Sequence, residues 1–163
     1  MEENHDNDGR MVVVEQGAAN SFSVLYTGPR SNAVSWAAKE NRPDVLMRLI
    51  EGGQSIRGSD GWGWTALHHA AFLGHTECVR VLLNEDTCEI DGKAFDGTTP
   101  LMAACANIPA SKPCIKVLCQ YKADPKVTHD RGVTALHIAI DRRPGARFNW
   151  KKNPHKLSVK KLQ

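Results

Sequence analysis

Long apolar runs are missing from this chain. No stretch approaches the ~20 apolar residues of a membrane-spanning helix, so no such helix is expected. The opening residues include Glu2, Glu3, Asp6 and Asp8, where a secretory signal peptide carries positive charge. Aromatic residues are only 6% of the 163, so a core must come from elsewhere. Hydrophobic residues at 41% suffice for one, and helix packing through Ala and Leu suits so few rings. Cysteines are not in a paired framework: Cys78, Cys88, Cys105, Cys114 and Cys119 make an odd number with no Cys-x-x-Cys. They read as reduced thiols, which predicts a cytoplasmic or also nuclear location. There is no Gly-x-Ser-x-Gly, no Gly-rich phosphate loop and no His-Glu-x-x-His. An enzyme is therefore not expected, and neither is a cofactor. Acidic residues are missing beyond Asp141: residues 142–163 hold eight Lys and Arg and no acid, against thirteen Lys and Arg and eighteen acids before them.

What is present is concentrated in residues 60–83, DGWGWTALHHAAFLGHTECVRVLL. Thr65 is placed to cap a helix. Leu67, Ala70 and Ala71 then fall at i, i+3, i+4 and make one apolar face. Gly74 can end that helix in a left-handed conformation. Cys78, Val79, Val81, Leu82 and Leu83 form a second, broader apolar stripe. Neither helix is long enough to stand alone in water, so the unit must lean on a neighbour.

The neighbours are repeats. Thr65 recurs as Thr99 and Thr134, at offsets of 34 and 35, each preceded two residues earlier by glycine (Gly63, Gly97, Gly132). Leu67 recurs as Leu101 and Leu136, and Ala70 as Ala104 and Ala139. Upstream, Ala37-Ala38 and Leu49-Ile50 match Ala70-Ala71 and Leu82-Leu83 at an offset of 33. A period near 33 with a helix–turn–helix unit marks a stacked solenoid. GWTALHHAAFLGHTECVRVLL, GTTPLMAAC and GVTALHIAI resemble ankyrin repeats. YKADP resembles that family's turn between repeats, with Lys122 in place of glycine.

The resemblance implies an all-α ankyrin-repeat solenoid over residues 31–141, with repeats at 31–60, 61–94 and 95–129 and a partial fourth at 130–141. Residues 1–30 are expected to be largely disordered; a short strand at Met11-Val12-Val13-Val14 is the alternative. In repeat one, Asn41 stands where Gly74 stands in repeat two, and Pro43 fits the first turn of a helix. Repeat two ends atypically in NEDTCEID. Repeat three carries a two-residue insertion in ANIPASKP and has Met102 where the others have His68 and His137. Repeat four breaks at Pro144-Gly145. Two readings fit the basic tail at 142–163: an alternative end to a longer array, or a cap anchored by Phe148, Trp150 and Leu157. Its charge reads as a solvated end or as a phosphate-binding arm.

His68 and His137 read as structural, since in ankyrin repeats this histidine holds the neighbouring turn. His69, His75, Cys78 and Cys88 lack the spacing of a zinc site. The candidate partner-binding residues are Trp62, Trp64, Phe72, Leu73, Phe95, Asp96 and Thr98. By the resemblance, the first two lie on a projecting finger, and two tryptophans there are costly to leave in water. The opposing expectation is that Trp62 packs beside Ile56 and Trp64 on the next finger. AVSWAAKENRPDVLMRLIEGG, DGWGWTALHHAA, TECVRVLLN and EDTCEIDGKAFDG are similar to the ankyrin repeat and SOCS box family. That similarity implies a protein client on the concave face and substrate recognition for a cullin-RING ubiquitin ligase. Elongin B/C and cullin would enter only through a SOCS box in a longer form, since none is recognisable here. A plain ankyrin scaffold or occluding inhibitor is the rival expectation. A membrane partner is not expected, and nucleic acid would bind only through the tail.

Overall fold

The computed structural model describes three N-terminal strands and the continuous stretch 30–141, with side chains from 33 to 140. Among the described residues seven helices follow one another: α1 Arg30–Lys39, α2 Pro43–Glu51, α3 Ala66–Leu73, α4 Thr76–Leu83, α5 Pro100–Ala106, α6 Lys112–Gln120 and α7 Ala135–Asp141. They stack as two rows. The inner row runs α1, α3, α5, α7 and the outer row α2, α4, α6, each helix packing on the one a repeat away. One buried core runs through both rows, from Ala33 and Val34 through Leu67 and Leu82 to Leu118 and Ile138. The inner helices carry the alanines (Ala37, Ala70, Ala104), whose small side chains let successive layers approach closely.

Local chemistry sets the helix ends. Thr65 and His68 form a reciprocal capping box at the start of α3, so two orphan donors are satisfied at once. The Thr99 hydroxyl accepts from the Met102 N–H at the start of α5. Thr134 and His137 repeat the first arrangement before α7, with Oγ1 and Nδ1 2.7 Å apart. Asn41 adopts the left-handed conformation expected of it, with φ of 53°, and Lys122, in place of the family's glycine, adopts it too, with φ of 65°. A lysine is strained there, by about 1 kcal/mol. Lys122→Gly is expected to raise the unfolding free energy measured in a urea titration slightly, by up to about 1 kcal/mol; a fall would show that the Lys122 side chain supports the turn.

The inserted loop of repeat three is anchored rather than loose. The Asn107 side-chain amide donates to the Phe72 carbonyl at 2.7 Å, closing the end of α3 in the previous repeat. The Ser111 hydroxyl donates to the Ala104 carbonyl. The backbone of Ala110 lies so close to Gly74 that a Cβ there would sit 2.6 Å from the Ala110 oxygen. The insertion is thus a strap across two layers. His75 joins the layers on the other side by donating from Nδ1 to the Ala38 carbonyl at 2.8 Å.

The N-terminus differs from the disorder expected for residues 1–30. Strands β1 Glu2–His5, β2 Met11–Gln16 and β3 Phe22–Gly28 form an antiparallel sheet in that order. The β-branched and aromatic residues of MVVVEQ and FSVLYTG favour a pleated pairing, which the acidic composition around them masked. The readings of the basic tail, including Phe148, Trp150 and Leu157, lie outside the described residues.

At the far end, Leu136 and Ile140 are 63% and 69% exposed, whereas Leu67 and Leu101 are both 2% exposed. A following layer covers α3 and α5; no described element covers α7. Leu136→Ala should accordingly change stability by no more than about 0.5 kcal/mol in a urea titration. A cost comparable to that of a core leucine would reveal a cover over this face.

Candidate functional site

The three turns that precede α3, α5 and α7 project as fingers. Each is closed by its own backbone: the Asp60 N–H donates to the Trp64 carbonyl, Ala94 to Thr98 and His129 to Val133, all at 2.9–3.1 Å. The fingers are also tied to one another. The Phe95 N–H donates to the Trp62 carbonyl and the Asp130 N–H to the Asp96 carbonyl, both at 3.1 Å. The row therefore behaves as one braced edge, not three loose loops.

Asp60 organises the first finger, and sequence reasoning passed over it. Its Oδ1 accepts from the N–H groups of both Trp62 and Trp64 at 3.0 Å, while its Oδ2 accepts from His69 Nε2 at 2.9 Å. Burial works against its charge, but these donors outweigh burial and hold the carboxyl below its ordinary value. The available signal was an Asp-Gly pair at a turn, whose carboxylate reaches the backbone two residues on. Asp96 does the same in the second finger, accepting from the Thr98 N–H at 2.9 Å.

The two tryptophans have different fates. Trp64 is 3% exposed and packs with Ala94 and Ala103, and its ring meets Phe72 edge to face with the two centroids 5.8 Å apart. His68 and His69 flank it at 5.6 and 5.2 Å. Trp64 is therefore not a contact residue; it fills the space above two alanines and fixes the finger to the inner row. Thr98 is also removed from the candidate surface. It is buried, and its carbonyl accepts from His68 Nε2 at 2.9 Å, which is how repeat two holds repeat three. Trp62 and Phe95 remain outside, 52% and 75% exposed. Gly63 explains the proximity of the two fingers: at φ +79°, a Cβ on it would meet the Phe95 ring and backbone at 2.7 Å. Leu73 is exposed at the end of α3, Phe72 is half-buried against Trp64, and Asp96 is half-buried with its side chain engaged.

His68 and His69 are structural and neutral. His68 is fully buried. Its Nδ1 accepts from the Thr65 N–H, which places the proton on the Nε2 that donates to Thr98. Burial lowers its pKa. Burial and the charge of Lys39 push His69 down to about 4, against the opposing pull of Asp60. Both imidazoles have folded values below the ordinary 6.5. The unfolded chain then binds more protons as pH falls below 6.5, so stability is complete above that value and declines toward pH 4. A urea titration from pH 7 to pH 4.5 should show the midpoint falling, and His69→Gln should flatten the slope. A flat wild-type profile would contradict the neutral assignment.

Among the described residues, no three His, Cys, Asp or Glu side chains are grouped to hold a metal ion. His69 and His75 have the partners given above, and the Cys78 thiol faces Asn41 Oδ1 at 3.9 Å. All five cysteines are unpaired, and burial pushes the thiols of Cys78, Cys88 and Cys105 up to about 11, well away from nucleophilic reactivity at neutral pH.

A row of braced fingers beside a two-layered helical stack is an architecture for gripping other proteins. The family model described as "Ankyrin repeats (3 copies)" matches residues 11–94, 34–129 and 85–148, and this chain belongs to the ankyrin-repeat family. It is a protein-interaction module and not an enzyme. It is 32% identical over 117 residues to Ankyrin repeat and SOCS box protein 3 of Homo sapiens, covering 71% of this chain and 22% of the relative. It is equally similar to Neurogenic locus notch homolog protein 2 of Mus musculus, at 31% over 127 residues, and to Neurogenic locus notch homolog protein 1 of Xenopus laevis, at 31% over 140 residues. Those matches cover 78% and 85% of this chain and 5% of each relative. The chain thus spans about a fifth of the first relative's length and far less of the others.

Proposed function

We propose that the chain recognises a protein client through the fingertip pair Trp62 and Phe95, supported by Leu73 at the end of α3. The observation that carries this reading is two large aromatic side chains standing exposed on adjacent fingers that are locked together by backbone hydrogen bonding. Rigid aromatic anchors lose little conformational freedom on binding, which is why a few of them can supply most of an interface's energy. More specifically, the client is a substrate, and the chain is the recognition part of an ankyrin and SOCS box adaptor for a cullin-RING ubiquitin ligase. The 32% identity to Ankyrin repeat and SOCS box protein 3 supports this. Elongin B/C and cullin would join through a SOCS box in a longer form. The unpaired thiols suit a reducing compartment, cytoplasmic or nuclear.

The equal similarity to Notch proteins favours a second reading, an ankyrin scaffold or inhibitor that occludes its partner. Affinity capture of the longest native form separates the two. Recovery of elongins and a cullin with the client supports the adaptor. A client recovered without them supports the scaffold and removes the ligase assignment.

A further inference from the structure

The atypical link between repeats two and three does more than connect them. It turns twice, with the Cys88 N–H donating to Glu85 and the Gly92 N–H to Glu89. Arg57 braces it from repeat one, donating from Nε to the Thr87 carbonyl at 3.2 Å and pairing with Glu89 at 3.7 Å. Held in this way, the link stands off from the first finger and leaves an open cavity of about 180 Å³. Ile56, Leu67, Gly63, Thr65, Leu82 and Phe95 line it, and of these Phe95 is the most exposed. A cavity of roughly 150 Å³ can hold benzene, so this one has room for a single apolar side chain.

Three charged residues line it: Arg57, Glu89 and Lys93. Arg57 and Glu89 neutralise one another. Lys93 also lines the cavity; its ammonium donates to the Thr128 carbonyl at 3.3 Å and has no carboxylate partner among the described residues. An ammonium carries three donors, so capacity remains for an incoming anion.

We propose that this cavity is a docking pocket for one aliphatic side chain of a partner protein, Leu, Ile or Met, with an acidic residue beside it that meets Lys93. It rests on the reading of the fingers as a protein-binding edge, and it adds a second anchor behind Phe95. The partner's apolar side chain fills the space between link and finger, beside the exposed Phe95, and its carboxylate meets the Lys93 ammonium. Specificity then comes from a paired feature, an aliphatic residue next to an acid, which neither Trp62 nor Phe95 alone selects.

The test is selection of a phage-displayed random dodecapeptide library on the full chain, followed by fluorescence-polarisation binding of the enriched peptides. Thr87→Trp and Ser59→Trp place bulk at exposed positions lining the cavity, and circular dichroism confirms that each keeps its helices. The expected result is an enriched motif pairing an aliphatic residue with Asp or Glu. Affinity should fall at least tenfold in whichever blocking variants remain helical, and several-fold in Lys93→Glu. Enrichment of no peptide overturns the proposal, as does binding indifferent to both blocking variants. Peptides lost in Trp62→Ala with Phe95→Ala but unaffected by blocking leave the finger reading standing and remove the pocket.

Discussion

Replacing Trp64 by alanine is expected to remove about 3–5 kcal/mol of stability, the usual cost of truncating a buried tryptophan in a packed core. The indole is 3% exposed and covers Ala94 and Ala103, whose side chains are too small to close the gap it would leave. The surrounding finger is pinned by Asp60 and by the Phe95 hydrogen bond, so collapse into the cavity is restricted. A domain of this size has only about 5–15 kcal/mol in total, so the variant should melt far earlier and lose cooperativity at repeat three. Trp62→Ala, by contrast, should cost about 1 kcal/mol or less. Urea unfolding followed by far-ultraviolet circular dichroism compares the two directly. Equal losses would mean that both rings are structural.

Gly74→Ala is expected to cost about 2–5 kcal/mol, from two sources. Alanine at φ +82° is strained by about 1–2 kcal/mol. Its Cβ would also meet the Ala110 carbonyl oxygen at 2.6 Å, and the Asn107 and Ser111 hydrogen bonds hold that loop in place. Overpacking of this kind adds about 1–3 kcal/mol. Gly53→Ala is the control: its φ is also +82°, but nothing lies within 4 Å of the added carbon. The excess of Gly74→Ala over Gly53→Ala in urea midpoint therefore measures the strap's rigidity. No excess would show that the loop of repeat three moves aside freely.

The stack was legible in the sequence because its cause is periodic. Threonine caps, Leu67-type core positions and small Ala70-type positions recur at 33 to 35 residues, and each recurrence has a local reason. The site was half legible. Trp62 and Trp64 flank one glycine and look alike in the sequence, yet the turn at Gly63 sends one ring over α5 and leaves the other outside. The clue lay 39 residues away from Trp64, in an alanine at position 103 small enough to accept an indole; such pairings leave no local pattern. Thr98 was misread for the same reason, since its backbone bond to His68 crosses repeats. The role of Asp60 and the strap of Asn107 are also contacts between distant or turning segments, which hydrophobic periodicity does not report.

The division between a supporting Trp64 and a gripping Trp62 and Phe95 is tested most directly by quantitative affinity capture with the Trp62→Ala, Phe95→Ala double variant, with its urea midpoint measured on the same preparation. The expected result is a fall of at least tenfold in the captured client with the unfolding free energy lowered by no more than about 1 kcal/mol. An unchanged set of captured proteins, in a variant that remains folded, would contradict the assignment of these fingers as the binding edge.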